Sequence, residues 1–97
     1  MNPNAERILV VESDPDISDL IARQTLQAAG YQVSVAGDAG AAIKMAIQNA
    51  PDLIVANLDL PGLSGKDLLV AFSSQGITVP FIVIAQKGNE AGVIQAF

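Results

Sequence analysis

Short apolar runs alternate along this chain with segments of helical period, and that alternation restricts the possible fold more than any other feature. Ile8 to Val11 is continuously apolar, as a strand buried on both faces must be. Leu53 to Ala56 has the same character, and Phe81 to Ala85 follows Pro80, a residue suited to the edge or start of a strand. Tyr31 to Val35 instead alternates apolar and polar residues, which fits a strand nearer the edge of a sheet.

The intervening segments carry helix signals. Asp14 is a capping residue followed by Pro15 at the first helical position, where the missing N–H costs nothing. Ile17, Leu20, Ile21, Gln24 and Ala28 follow at steps of three and four and predict one buried helix face, closed by Gly30 in a left-handed conformation. Asp38 caps a second helix carrying Ile43, Ala46 and Ile47, which Asn49-Ala50-Pro51 ends. Ser64 caps a third, with Asp67 three residues on and Leu68, Leu69 and Phe72 as its buried side. After Lys87-Gly88-Asn89-Glu90 the pattern predicts another helical segment to the end of the chain.

Strands and helices in this order imply the α/β class: a doubly wound parallel sheet in three layers, with right-handed crossovers placing helices on both faces. Functional side chains in such sheets gather beyond the C-terminal ends of the strands, next to the switch point. Here those positions are Glu12, Ser13 and Asp14 after the first run, Asn57 and Asp59 after the third, and Ala85 and Gln86 after the fourth.

Composition removes several chemistries. At 97 residues the chain builds one core and one domain, taken as residues 1–97. It has neither cysteine nor histidine, which excludes disulfides, the usual zinc sites and a Ser/His or Cys/His nucleophile pair. The net charge is −5, and Arg7, Arg23, Lys44, Lys66 and Lys87 are dispersed, so nothing attracts a nucleic acid backbone. No run approaches the roughly 18 apolar residues of a membrane span. A soluble, cytoplasmic protein with no membrane or nucleic acid contact is expected. Gly37-Asp38-Ala39-Gly40 lacks the spacing of a phosphate-binding loop and reads as a turn and helix start.

Three segments, ILVVESDPDI, DLIVANLDLPGLSG and VPFIVIAQ, together resemble the receiver domains of two-component response regulators, whose fold is CheY-like. The resemblance runs from about Arg7 onward. It implies two acidic residues after the first strand that hold magnesium, an aspartate after the third that accepts phosphate, a Ser or Thr after the fourth, and a lysine after a fifth strand. In this chain the acidic pocket falls on Glu12, Ser13 and Asp14, the phosphoacceptor position on Asn57 and the switch hydroxyl position on Ala85. The final βα unit with its lysine is missing from this reading.

The scaffold residues match, including Pro61, Gly62 and Gly65, whereas the chemical ones depart. Asn57 is not expected to be phosphorylated. Glu12, with Asp14 and Asp59 nearby, is what remains for a metal, so no cofactor is expected, magnesium being the one ion the resemblance would bring. Asp14 reads first as a helix cap, and Lys66 and Lys87 as solvated charges. The expected function is non-enzymatic: a pseudo-receiver acting by protein contact with a histidine kinase or the output domain of a longer regulator. A conventional phosphorylated receiver is one alternative and a flavodoxin-like small-molecule binder another. The acid-rich loop Glu12-Ser13-Asp14-Pro15-Asp16 speaks against the latter. Without a fifth strand the edge of the fourth would be bare, and a second copy pairing there would make a dimer.

Overall fold

The computed structural model of the 97-residue chain describes residues 5–57, 59–60, 63–84 and 93–96. The strands are β1 (Arg7–Val11), β2 (Gln32–Ala36), β3 (Leu53–Asn57), β4 (Asp59–Leu60), β5 (Leu63–Ser64), β6 (Phe81–Ile84) and β7 (Val93–Ala96). The helices are α1 (Pro15–Asp19), continued by a π-helical stretch over Leu20–Gln27, then α2 (Ala39–Gln48) and α3 (Gly65–Ser74). The main sheet has the order β2-β1-β3-β6-β7, with β2, β1, β3 and β6 mutually parallel as expected.

Side chains alternate across the sheet and divide the core in two. Leu9 and Val11 of β1, Ile54 and Ala56 of β3, and Phe81 and Val83 of β6 meet Ala42 and Ala46 of α2 and Leu68 and Phe72 of α3 on one face. Ile8, Val10 and Val55 meet Ala22 on the other, with Ile21 and Leu26 packed against them. The Phe72 and Phe81 rings lie 5.7 Å apart at a 58° tilt, joining α3 to the sheet through an edge-biased aromatic contact.

Capping follows the sequence signals. The Asp14 carboxylate accepts from the N–H groups of Asp16 (2.9 Å) and Ile17 (3.4 Å), and Asp38 accepts from that of Ala41 at 2.8 Å. At the end of the first helical segment Gly30 has φ +101°, and the N–H groups of Gly30 and Tyr31 return to the carbonyls of Gln27 and Leu26. Ser64's side chain and Pro61 and Gly62 lie outside the described residues, although β4 and β5 pair antiparallel on either side of those two residues.

Two expectations need correction. The face foreseen for the first helix was set by α-helical steps, but the Leu20–Gln27 stretch is wound more widely. The Thr25 hydroxyl, for instance, donates to the Leu20 carbonyl five residues back, at 2.8 Å. The wider turn brings Ser18, Ala22 and Leu26 inward at steps of four, while Leu20 is 54% exposed and Gln24 and Ala28 face solvent.

The segment foreseen as a final helix instead contributes β7, antiparallel to β6, with Val83 opposite Ile94 and Ile84 opposite Val93. A few residues gain little as an isolated helix. Pairing with β6 satisfies backbone groups that would otherwise stand open. The edge of β6 expected to be bare is thus covered by the chain itself.

Core position separates two otherwise similar helix substitutions. Phe72, 1% exposed, is expected to cost about 3–5 kcal/mol as Phe72→Ala, whereas Val70→Ala, at a position 67% exposed, stays within about 0.5 kcal/mol. Equilibrium denaturant unfolding of both variants checks this. On the π-helical stretch, Arg23 donates to both Asp19 oxygens (2.7 and 3.1 Å) and Gln24 donates to one (2.8 Å). Arg23 first, and then Gln24, hold the Asp19 carboxyl below its usual range. A lowered carboxyl stabilises at neutral pH, and that contribution fades as pH falls through the lowered value. The pair is solvent-exposed, so Asp19→Asn is expected to flatten the acid limb of a stability–pH profile only slightly, and less in molar salt.

Candidate functional site

β1 and β3 are adjacent and in register, Val11 beside Ala56, so the next residues along, Glu12 and Asn57, emerge together at their C-terminal ends. Both are buried, at 4% and 5% exposure, in a molecule whose other acids are at the surface or only partly covered where their side chains are described. A carboxylate buried this deeply needs donors. Asn57 Nδ2 donates to Glu12 Oε1 at 2.7 Å, and the Asp14 N–H donates to Glu12 Oε2 at 3.1 Å. Because a carboxylate only accepts, the amide must present its nitrogen to it. Glu12's own N–H donates to the Ala36 carbonyl at 3.0 Å, continuing the β1–β2 ladder beyond the last paired residues.

The site thus joins three pieces of chain: the end of β1, the end of β3 and the turn into α1. Asp14 acts on it through its backbone, because its side chain is exposed and occupied with capping α1. Ser13 is exposed between them. Asp59's backbone opens β4, while its side chain and Ala85, Gln86 and Lys87 lie outside the described residues, as does the side chain of Lys66. Among the described residues no three Asp, Glu, His or Cys side chains converge.

Of the sequence-derived candidates, the structure brings Glu12 and Asn57 into direct contact and supplies the backbone of Asp14. The contact itself was not foreseen. Its signal was present in the positions one past the end of two apolar runs, which become neighbours once those runs pair in parallel.

The position of this pair, at the C-terminal ends of adjacent central strands in the order 2-1-3, is the switch point of a doubly wound sheet. Residues 8–97 match the family model of the response regulator receiver domain. The chain belongs to the response regulator receiver family. This receiver is 36% identical over 95 residues to the alkaline phosphatase synthesis transcriptional regulatory protein SphR of Synechococcus elongatus, covering 89% of this chain and 37% of that protein. It is 32% identical over 89 residues to the transcriptional regulatory protein KdpE of Mycobacterium tuberculosis, covering 92% and 38% respectively. The receiver therefore spans little more than a third of these relatives.

Among solved structures, NtrX from Brucella abortus superposes with a TM-score of 0.78 at 33% identity, over 88% of this chain and 19% of that one. The chemotaxis protein CheY4 of Vibrio cholerae gives 0.80 at 24% identity, over 89% and 72%, a likeness of fold. The receiver is thus a two-component signalling domain. Among its described residues no helix is long and apolar enough to cross a membrane.

Replacing the amide tests the geometry. In Asn57→Asp a second carboxylate is placed at hydrogen-bonding distance from Glu12, and two such charges share a buried site only at a cost. The folded variant is expected to retain a proton that the unfolded chain releases, so its stability falls as pH rises from mildly acidic to neutral. The unsubstituted receiver lacks that added slope. At neutral pH the expected loss is about 1–3 kcal/mol, read from denaturant unfolding at two pH values.

Proposed function

We propose that this receiver is a pseudo-receiver: a protein-interaction module of two-component signalling whose state is not set by phosphorylation. The observation that carries the reading is the 2.7 Å hydrogen bond from the Asn57 amide to Glu12 at the switch point. Phosphoryl acceptance at the end of β3 needs an anionic oxygen, and a neutral carboxamide offers a poor nucleophile. The amide's nitrogen is moreover the atom turned toward Glu12.

The same donor set does not fit magnesium. That ion takes hard oxygen ligands in a near-octahedral shell, commonly with carboxylates. Of the pocket's acidic positions Glu12 keeps its carboxylate, but both its oxygens already accept from protein N–H groups. Ser13 is a neutral hydroxyl, and Asp14 is occupied with its helix cap. Position 85 is alanine and carries no hydroxyl to meet a phosphoryl group. No cofactor is therefore assigned.

In this reading the partners are proteins, a histidine kinase or an output domain, and the site of action is the cytoplasm. The dispersed basic residues favour contact with protein over contact with nucleic acid. The relatives' description as transcriptional regulators makes a DNA-binding output elsewhere in such a regulator a natural extension.

The decisive experiment is intact-mass analysis after incubation with acetyl phosphate and magnesium, followed by peptide mapping. The expected result is no phosphoryl adduct on the unsubstituted chain. An adduct mapped to Asp14 or Asp59 would restore the conventional phosphorylated receiver and sink this reading.

A further inference from the structure

A second concavity lies at the other end of the sheet, remote from Glu12 and Asn57. It is an opening of about 290 Å³ bounded by the first residues of β1 and β2 and the last turn of α2. Ala36 at the end of β2 packs in the same core as α2's Ala42 and Ala46, so that face of β2 looks toward α2. Two and four residues earlier on this face stand Ser34 and Gln32, and the opening lies where these polar residues replace apolar ones. Gln48 and Asn49 bound it on the α2 side, the partly buried Met45 gives it apolar surface, and Arg7 stands at its margin.

Charge makes this opening unusual for the molecule. The chain has ten acidic and five basic residues, yet no Asp or Glu is among the described residues that line the opening. Arg7 Nη1 donates to Asn49 Oδ1 at 2.9 Å, which ties the guanidinium to the rim. The nearby Asp52 carboxylate accepts from Arg7's backbone N–H at 2.8 Å, and among the described residues no carboxylate pairs with the guanidinium. Among the described residues the rim thus has a tethered cation whose other donors meet no carboxylate, beside amide side chains and a hydroxyl.

We infer that this opening binds a small organic acid, a compact molecule whose carboxylate meets Arg7 and whose apolar body lies against Met45. Planar guanidinium and carboxylate groups match in a two-point contact. A single arginine with neutral amides suits a monoanion better than a phosphate dianion. The volume of about 290 Å³ falls just below the roughly 300–1,000 Å³ common for ligand sites, which restricts the ligand to a compact molecule. The α2 carbonyl end sits nearby and opposes an anion, so affinity of about millimolar order is expected for a minimal probe.

The test is a backbone-amide NMR titration of the full 97-residue chain at fixed ionic strength, with sodium benzoate, benzyl alcohol and sodium phosphate as probes. Benzoate is expected to give saturating shifts at Gln32, Ser34, Gln48 and Asn49, and benzyl alcohol none. Arg7→Gln should weaken benzoate about tenfold. Gln48→Glu, on the exposed end of α2, should do the same by adding a negative charge while leaving the Arg7–Asn49 bond in place. The inference is overturned if benzyl alcohol shifts the same amides as strongly, if phosphate saturates them more tightly, or if benzoate affinity survives both substitutions unchanged.

Discussion

A parallel strand pair leaves two faces to be covered, and in this molecule that requirement bears most heavily on β1 and β3. Each lies between two other strands and has apolar side chains on both sides, so neither can be satisfied by one layer of helix. The crossovers needed to bring parallel strands together supply those layers. Leu9, Val11, Ile54 and Ala56 take α2 and α3, while Ile8, Val10 and Val55 take the first helical segment. At roughly 25 cal/mol for each Å² of apolar surface buried, this two-sided core is the main stabilising term, and the caps and exposed ion pair only refine it.

The same pairing creates the site. Two adjacent parallel strands end side by side, and the first residues past their apolar runs are brought together whatever their chemistry. Two carboxylates there would repel at close range and would call for a cation or a bound proton. An amide opposite a carboxylate relieves that repulsion with a neutral donor, and the Asp14 N–H completes the pair. Burial then strengthens the contact, since water competes poorly for either group. Among the described residues Glu12 thus takes its donors from the protein itself, and the pseudo-receiver proposal rests on that pairing.

The points where local patterning and structure part company share one cause. Leu20 and Ala28 follow an α-helical spacing, but the stretch is wound with hydrogen bonds spanning five residues, and small residues, Ser18 and Ala22, take inner positions against the sheet. Val93–Ala96 follows helix-compatible residues, yet the open edge of β6 offers hydrogen bonds that a short helix cannot match. In both places a neighbouring strand or layer outweighs a modest local preference.

From the sequence alone came the strand and helix succession as far as β6, the Asp14, Asp38 and Gly30 end signals and the identity of the residues at the strand ends. These are legible because periodicity, capping and turn chemistry act over a few neighbouring positions. The direct contact of Glu12 with Asn57, 45 residues apart, was decided by tertiary structure. So were the inward face of the first helical segment, the antiparallel β7 and the opening beside Arg7 that no described Asp or Glu lines. Each depends on which elements become neighbours, and proximity across the sheet is set by burial and hydrogen-bond satisfaction of the whole chain rather than by any local run of residues.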